Sequence, residues 1–456
     1  MVHQQRPRVL KRQAREELVM MTDLQVRGAA VAPAAGEQRP NRCAPPPTVP
    51  IHDYAAKLKQ PRVLDGVKHA LRGCEGLDQG LSLAKALHCR HAHTPSPVSV
   101  NLDLTVACNY SCPHCIDGPI LNTGKRFDGT LLARSLIVLR LAGLRSVILI
   151  GGGEPTLHPK FREVVKIIKL LGLQCAIVSN GSRNARLREI APLLTAGDCI
   201  RLSLDAATES TFRVMHQPRQ ASLTLDEICT SAGEIKRANP RISLGFSYIV
   251  SWRGASVNGQ PVLDNLSELA DAARLAKRSG FDFIAFKPLL DRDEIGAETI
   301  TIGVHDRAAA DREALLRRIG CEVAAAKLIA DDTFKVFSSL NLRSLTESGQ
   351  MGQLRPQPRR CHMHLFRQVL TPLGVFGCPV YRGNDKDRVG SPSAYASVEG
   401  FFLSRRKTCE LVEEFDASLE CRNVACLYNF TNWWLQAVRD GVEDPGGGDA
   451  TGDFFL

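Results

Sequence analysis

Three cysteines stand close together in the segment LTVACNYSCPHCIDGPIL, residues 104–121. Cys108, Cys112 and Cys115 have the spacing C-x3-C-x2-C and follow an apolar run. Iron–sulfur clusters are held by cysteine thiolates, usually four of them, so three thiolates on one loop leave one iron without a protein ligand. An open metal position is typical of a catalytic site rather than a structural one. The alternatives to this interpretation are a zinc site that borrows a distant fourth ligand and cysteines that occupy core positions incidentally.

A glycine-rich loop follows the next apolar run, in SVILIGGGEPTLHP, residues 146–159. Its three glycines, at positions 151–153, allow the backbone to approach a ligand closely. Glu154 then offers a carboxylate that can accept a hydrogen bond from an ammonium group; in the alternative interpretation it only stabilises the loop. This loop and the three cysteines before it together resemble the radical S-adenosylmethionine (SAM) superfamily, over about residues 98–290.

The resemblance implies a cofactor and a reaction. Cys108, Cys112 and Cys115 are expected to ligate a [4Fe-4S] cluster, and SAM to chelate the open iron through its amino and carboxylate groups. Reductive cleavage of SAM then gives methionine and a 5′-deoxyadenosyl radical, which abstracts hydrogen from an unactivated C–H bond. No catalytic residue is expected beyond the cluster and SAM, and an electron donor such as flavodoxin or ferredoxin is implied.

The resemblance also implies residues that bind SAM. Gly152, Gly153 and Glu154 are expected to hold the methionine amino group, and His114 to lie near the adenine. Four more residues end the third and fourth predicted strands and are expected to face SAM or substrate. They are Ser179, Asn180, Ser203 and Asp205. Turn and helix-capping chemistry is the alternative interpretation of these four.

A second group of cysteines lies near the carboxyl end. Cys361 and Cys378 flank a predicted β-hairpin, and Cys421 and Cys426 follow in ECRNVACLYN. This pattern resembles the Twitch module, a shortened relative of the SPASM domain, and implies a second, auxiliary [4Fe-4S] cluster. The last pair is spaced C-x4-C rather than the tighter C-x2-C, and the seven-cysteine set of a full SPASM domain is missing. Buried free thiols are the alternative, and Cys409 is an alternative ligand.

The elements that position these residues alternate regularly. Six apolar runs, beginning near residues 98, 146, 174, 199, 242 and 281, alternate with amphipathic helical stretches. Such alternation predicts an α/β protein with a parallel sheet and right-handed crossovers. The predicted fold is a partial (β/α)6 TIM-like barrel of the radical SAM type with a small C-terminal α+β auxiliary-cluster module. In parallel sheets of this kind, reactive loops follow the carboxyl ends of the strands, which is where the cysteine and glycine-rich loops lie.

The chain divides into six predicted regions. Residues 305–331 carry a long helical pattern, and LFRQVLTPLGVFGCPV predicts a hairpin with Pro372 and Gly374 at its turn. The regions are 1–50, a disordered basic arm and Ala/Pro-rich linker; 51–97, a helical N-terminal extension; 98–300, the radical SAM core; 301–355, a helical insert; 356–440, the auxiliary-cluster module; and 441–456, a flexible tail.

Composition limits the cellular context. The 456 residues carry a formal charge of +10, of which +4 comes from residues 1–42. This basic arm has no interleaved aromatic residues, so a solvated tail is favoured over a nucleic-acid-binding one. No 18-residue apolar run or signal-peptide pattern is found, and we expect a cytoplasmic protein without a membrane partner. With fifteen cysteines in such a chain, metal binding is favoured over disulfides.

The function predicted from these features is that of a radical SAM enzyme. The single auxiliary cluster favours oxidation or modification of a small polar, sugar-like natural-product precursor. Modification of a ribosomally made peptide, by crosslinking or epimerisation, is the alternative. An alternative of another class is a non-catalytic metal-binding scaffold that binds nucleic acid, and the Gly-Gly-Glu-Pro loop argues against it.

Overall fold

Six apolar runs of the sequence become adjacent parallel strands in a computed structural model of the chain, which describes residues 53–72, 97–300, 309–346 and 354–456. Within these ranges, ten strands form one sheet in the order β7-β6-β5-β4-β3-β2-β1-β8-β9-β10, and the first eight in this order run parallel. They are β1 (Ser99–Leu102), β2 (Ser146–Leu149), β3 (Gln174–Ser179), β4 (Cys199–Ser203), β5 (Ser243–Val250), β6 (Phe283–Pro288), β7 (Lys335–Ser338), β8 (Arg367–Thr371), β9 (Gly374–Phe376) and β10 (Arg388–Gly390).

Helices connect the parallel strands and pack against the sheet. Alternate strand residues that join the helices in one hydrophobic core are fully buried, for example Ile200, Leu202 and Phe246. The α-helices of the described ranges are α1 (Tyr54–Lys59), α2 (Pro61–Leu71), α3 (Gly129–Ala142), α4 (Phe161–Leu170), α5 (Asn184–Ile190), α6 (Glu209–His216), α7 (Leu225–Ala238), α8 (Leu269–Arg278), α9 (Ala309–Lys327), α10 (Leu340–Thr346), α11 (Val398–Glu414), α12 (Ala417–Glu420) and α13 (Asn429–Arg439). This strand–helix alternation confirms the predicted partial barrel.

The C-terminal hairpin is joined to the core sheet. β8 and β9 pair antiparallel around the predicted turn, with Thr371 opposite Gly374. β8 also runs parallel to β1, so that Ser99 lies opposite Arg367 and Leu102 opposite Leu370. The hairpin predicted to begin a separate small module therefore extends the barrel sheet, and no local sequence pattern indicates this pairing.

The segment between the core and this hairpin is also more than a helical insert. α9 and α10 occupy most of its described part, but β7 lies between them and pairs with β6, with Lys335 opposite Phe283. The insert predicted over residues 301–355 therefore contributes an edge strand to the core sheet. The apolar pattern of β7 is only four residues long, so it is hard to recognise in a sequence beside the long helix α9.

The two ends of the described chain meet. The helices α1 and α2 lie in the described part of the predicted N-terminal extension, whereas the predicted arm and linker, residues 1–50, lie outside the described residues. Phe454 and Leu456 are buried in a cluster with Tyr54 of α1, and Lys57 forms an ion pair of 2.9 Å with Asp453. The end of the predicted flexible tail is therefore packed. None of the helices in the described ranges is both long enough and apolar enough to span a membrane.

Candidate functional site

The first residue of the three-cysteine loop, Cys108, comes six residues after the end of β1. Cys108, Cys112 and Cys115 are all half-buried, and the Cys115 N–H donates to the Cys112 carbonyl over 3.1 Å, which closes a tight turn. Burial, and then the carboxylate of Asp117, raise the pKa of the Cys115 thiol to about 12. Burial raises the pKa of Cys108 and Cys112 in the same direction. Thiolates on this loop therefore need a cation beside them, and the donor set fits a metal cluster.

The glycine-rich loop lies directly against this cysteine loop. A Cβ atom on Gly153 would lie 2.5 Å from the carbonyl oxygen of Ala107 and 2.6 Å from that of Thr105. The next residue, Glu154, donates its N–H to the same Ala107 oxygen over 2.9 Å. Glycine is therefore required at position 153 by contact with the chain's own backbone. This contact fixes the Gly-Gly-Glu segment next to Cys108.

Glu154 is buried and holds three loops together. Its Oε1 accepts from the Thr156 N–H, the Thr156 hydroxyl and the Ser179 hydroxyl, at 3.0, 2.6 and 2.8 Å. Its Oε2 accepts from the Asn180 N–H at 2.7 Å. Burial raises the pKa of Glu154, and these hydrogen bonds oppose the rise. Oε1 already accepts three donors, whereas Oε2 accepts one, so Oε2 is the oxygen with room for a further donor. Loop stabilisation and cofactor binding are thus compatible.

Two predicted residues at the end of β3 connect Glu154 with the cysteine loop. The Asn180 side chain donates to the Asn109 side chain at 3.0 Å, and its Nδ2 lies 4.0 Å from the Cys108 sulfur. Ser179 is buried and its hydroxyl also accepts from the Gly181 N–H at 3.1 Å. Both residues take part in turn chemistry, as the alternative interpretation expected, and both lie in the predicted site.

Asp205 is a buried residue shortly after β4, and its carboxylate contacts the side chains of two histidines. Its Oδ2 lies 3.1 Å from His114 Nε2 and 3.4 Å from His216 Nε2, and its Oδ1 accepts from the Ile249 N–H at 2.6 Å. Burial favours the neutral acid, but the hydrogen bond from His114 and the neighbouring imidazoles lower the pKa of Asp205. Ser203, two residues earlier, is half-buried on the opposite side of β4 from Leu202. The structure thus brings His114 and Asp205 together.

His216 was missed in the sequence. It ends α6, and its Nδ1 lies 3.4 Å from the Cys112 sulfur. Burial lowers the pKa of His216 to about 4, so the ring is neutral. A neutral imidazole carries one N–H, which can donate either to Cys112 or to Asp205. The ligand atoms of Cys112, His114 and His216 all lie within 4.8 Å of one another. Sulfur and imidazole donors suit zinc, so the zinc alternative has candidate ligands here.

An arginine from the C-terminal region joins the two loops. Arg382 is buried, and its Nη1 lies 2.6 Å from Asp117 Oδ2 while its Nε lies 3.0 Å from Asp103 Oδ2. The same Asp117 oxygen accepts the Gly152 N–H at 3.2 Å. Gly152 has a φ of +56°, and a Cβ there would lie 2.6 Å from Asp103 Oδ2. No local sequence pattern indicates this buried ion group, because Arg382 lies 265 residues from Asp117 in the chain.

The four predicted C-terminal cysteines line one cavity. Burial, and then the Cys426 thiol, raise the pKa of Cys361 to about 12, and burial raises the pKa of Cys426 to about 11. Burial raises the pKa of Cys378 and Cys421 in the same direction, and the Cys361 thiol adds to both shifts. Four thiols so placed fit a four-thiolate cluster. Among the described lining residues are Cys361, Met363, Cys378, Tyr381, Phe415, Cys421, Val424 and Cys426, whereas Cys409 lies on α11.

Comparison with known proteins identifies the domain that carries the first site. Residues 102–248 match the radical SAM superfamily. The chain is 36% identical to the mycofactocin maturase MftC of Mycobacterium ulcerans over 118 residues, which are 25% of this chain and 30% of that protein. It is 27% identical to an S-adenosylmethionine-dependent nucleotide dehydratase of Selenomonas ruminantium over 180 residues, 38% of this chain and 63% of that protein. The matches therefore cover less than two thirds of these relatives.

A solved structure shares the fold. SuiB of Streptococcus suis, bound to S-adenosylmethionine, aligns with a TM-score of 0.50 at 12% identity, over 78% of this chain and 77% of that one. At this identity the likeness bears on the fold alone. A [4Fe-4S] cluster with SAM is the cofactor pair of the matched superfamily, which confirms the first cofactor prediction; the second cluster stays a prediction. Residues 102–248 are therefore identified as a radical SAM domain.

Proposed function

We propose that this chain is a radical SAM enzyme whose first cluster is held by Cys108, Cys112 and Cys115. When bound, the cluster and SAM supply a 5′-deoxyadenosyl radical that abstracts hydrogen from a substrate C–H bond, while the protein orients the reactants. The observation that carries the proposal is the contact of the two loops. The Glu154 N–H donates to the Ala107 oxygen over 2.9 Å, so the Gly-Gly-Glu segment lies directly against the cysteine loop.

The residues around the cysteine loop and the glycine-rich loop have separate tasks in the proposal. Glu154 offers the remaining acceptor site on Oε2 to the SAM ammonium, and Gly152 and Gly153 leave room for the methionine backbone. Asp205 holds the His114 ring in place by a contact of 3.1 Å, and His114 then lies beside the adenine. A neutral His216 beside the Cys112 sulfur offers a hydrogen bond to that thiolate.

The C-terminal region holds the second [4Fe-4S] cluster in this proposal. Its ligands are Cys361, Cys378, Cys421 and Cys426, which line one apolar cavity. Arg382 directly follows Tyr381, which lines this cavity, and forms ion pairs with Asp103 and Asp117 of the barrel. The second cluster is thereby held in a fixed position relative to the first loop. An external donor such as flavodoxin or ferredoxin supplies the electron.

The proposed substrate is a small polar molecule. The relatives named above include a maturase and a nucleotide dehydratase, so chains with similar cores differ in substrate. The interior face of this barrel is polar near the strand ends, where Ser203 and Lys287 are half-buried. That polarity supports a polar substrate over an apolar one. A ribosomally made peptide is the second candidate, because a polar interior also suits a peptide segment.

The test measures 5′-deoxyadenosine. Protein reconstituted anaerobically and reduced should convert SAM to 5′-deoxyadenosine. Replacing Cys108, Cys112 and Cys115 together by Ala should abolish this product, because thiolate ligation is lost. A matched control replaces three cysteines outside both sites, Cys199→Ala, Cys229→Ala and Cys321→Ala, and should keep it. Undiminished product in the first variant would contradict the proposal.

A further inference from the structure

Asp117 joins the cysteine loop to the glycine-rich loop. It lies two residues after Cys115 and is buried. Its Oδ2 accepts a hydrogen bond from the Gly152 N–H at 3.2 Å. Because Gly152 belongs to the backbone proposed to receive the methionine part of SAM, the position of this carboxylate sets the position of that backbone.

Two arginines from outside both loops hold the Asp117 carboxylate. Arg382 of the C-terminal region places its Nη1 2.6 Å from Oδ2. Arg292 places its Nη2 3.6 Å from Oδ1, and it belongs to a short hairpin after β6 in which it lies opposite Glu298. Arg292 also donates to the Val380 carbonyl at 2.8 Å, which joins this hairpin to the segment before Arg382. Each Asp117 oxygen thus has its own guanidinium, and a rotation of the carboxylate would break both ion pairs.

The guanidinium of Arg382 also lies against the glycine-rich loop itself. A Cβ atom on Gly151 would lie 2.5 Å from Arg382 Nη2, and one on Gly152 would lie 2.6 Å from Asp103 Oδ2. Asp103 in turn lies 3.0 Å from Arg382 Nε. Gly151 and Gly152 have φ values of +73° and +56°, which favour glycine. The buried ion group therefore contacts the loop where its backbone shape is most unusual.

Stability alone does not account for burying these charges. Apolar side chains of similar volume are often as stabilising as a buried ion pair. Charge-assisted hydrogen bonds are directional, however, and they select one arrangement of the groups that they join. A loop that already has its binding shape avoids the conformational cost of being ordered by its ligand. The ion group is therefore suited to keeping the glycine-rich loop in one shape.

We propose that Arg382 is a positioning residue for SAM binding. Together with Arg292 it holds Asp117, and it thereby keeps Gly151 and Gly152 in the backbone shape that receives the methionine part of SAM. The inference rests on the proposed function, because SAM is the ligand of that function. Arg382 acts through protein groups and needs no contact with SAM. The C-terminal region thus becomes part of the SAM site, since the residue that locks the loop comes from that region.

The first test titrates SAM into anaerobically reconstituted holoprotein and counts iron in the same sample. Arg382→Met replaces no cysteine, so the iron content should stay that of the wild type. SAM binding should weaken about tenfold or more, because the apparent affinity falls with the fraction of molecules whose loop has the binding shape. Arg292→Met removes the longer of the two contacts and should weaken SAM less, about threefold. Wild-type SAM affinity in Arg382→Met at full iron overturns the proposal.

A double-mutant cycle asks whether Arg382 acts through Asp117. Asp117→Asn removes the charge with which Arg382 pairs and replaces no cysteine. The double variant should bind SAM about as weakly as the weaker of the two single variants, because both substitutions break the same contact. Losses of affinity that multiply would mean that Arg382 acts on SAM by another route, and they would overturn the positioning role.

Lys169→Met is the matched control for a general loss of stability. Lys169 lies 2.6 Å from the fully buried carboxylate of Asp198, which also accepts the Cys175 N–H at 2.7 Å. This ion pair lies where β3 and β4 begin, at the opposite end of the strands from the two loops. Lys169→Met should lower the melting temperature and leave the SAM affinity unchanged. An equal loss of SAM affinity in this control would mean that destabilisation weakens SAM, and the proposal would fail.

A milder substitution decides the question if Arg382→Met does not fold. Arg382→Lys keeps a positive charge, but one ammonium group does not reproduce the fork that reaches both Asp103 and Asp117. SAM should bind about threefold or more weakly at full iron, and wild-type affinity would overturn the proposal. If the wild type itself does not bind SAM, the proposed function and this inference fail together. If the wild type forms 5′-deoxyadenosine and the variants bind SAM equally well, this inference fails alone.

Discussion

The two cysteine groups of this molecule are built in opposite ways. The first places three thiols within eight residues of one loop, and the second gathers four thiols from positions 361 to 426 around one cavity. The first has polar neighbours, including Glu154, Asn180 and the Asp205 carboxylate. The second is lined by apolar side chains such as Met363 and Phe415. In the proposal, the number of thiolates and the polarity around them make the first site open to a further ligand and the second one closed.

This difference shows what each site is able to do. A cluster with three thiolates has one iron available to an external ligand. The polar side chains beside it, Glu154 among them, can hold that ligand's amino group. A cluster with four thiolates in an apolar cavity has no position to offer. We therefore expect substrate chemistry to begin at the first site and electron transfer or structural support to be the task of the second.

The largest effect should come from removing one cysteine group at a time. With Cys108, Cys112 and Cys115 replaced by Ala, reconstituted protein should keep about four irons, which the closed site holds. With the four C-terminal cysteines replaced by Ala, it should again keep about four irons, now on the first loop. Iron and sulfide are counted per chain in both variants. If either variant binds no iron under anaerobic reconstitution, the two sites are not independent four-iron centres.

Breaking the ion group between the regions should have the next largest effect. Arg382→Met leaves Asp103 and Asp117 buried without their guanidinium. The free energy of unfolding should fall by about 3–5 kcal/mol, because breaking a buried ion pair leaves uncompensated charge. Chemical denaturation of the holoprotein measures this change.

An exposed ion pair of the same region serves as the control. Arg388 pairs with Asp385 at 2.6 Å, and their side chains are 40% and 83% exposed. Arg388→Met should cost at most about 1 kcal/mol, as exposed ion pairs do. Equal effects of the two substitutions would show that Arg382 contributes no special link between the C-terminal region and the cysteine loop.

A smaller effect should distinguish the two roles of Glu154. Glu154→Gln touches no cluster ligand, so both clusters should remain. SAM binding should weaken roughly tenfold or more, because a charge-assisted hydrogen bond contributes about 1.5–3 kcal/mol. SAM titration and iron counting in the same sample measure both quantities. Full iron with wild-type SAM affinity would reject the anchoring role and leave only the loop contacts to Thr156, Ser179 and Asn180.

Local patterns in the sequence were enough to predict the barrel and to select the two loops of the candidate site. The six core strands and the two loops can be read from alternating apolar runs and from motifs less than twenty residues long. Residues joined only by tertiary contact could not be predicted. His216 reaches the Cys112 sulfur from the end of α6, and Arg382 reaches Asp117 from 265 residues away.

The environment of Lys287 also could not be predicted from the local sequence. In the sequence it is one cation after an apolar strand, where a solvated side chain is the usual outcome. Its position inside the barrel follows from the register of β5 with β6, which pairs Lys287 with Ile249. Register depends on the whole sheet rather than on the residues around one position, so the interior charge of the barrel becomes visible only in the folded structure.

The central claim is that one cluster site is open to SAM and the other is closed. Electron paramagnetic resonance of the reduced protein, recorded with and without SAM, tests this most directly in the two cysteine variants. In the variant that keeps only Cys108, Cys112 and Cys115, SAM should change the spectrum of the cluster. In the variant that keeps only Cys361, Cys378, Cys421 and Cys426, SAM should leave the spectrum unchanged. A spectrum that responds to SAM in the second variant, or fails to respond in the first, would contradict the account.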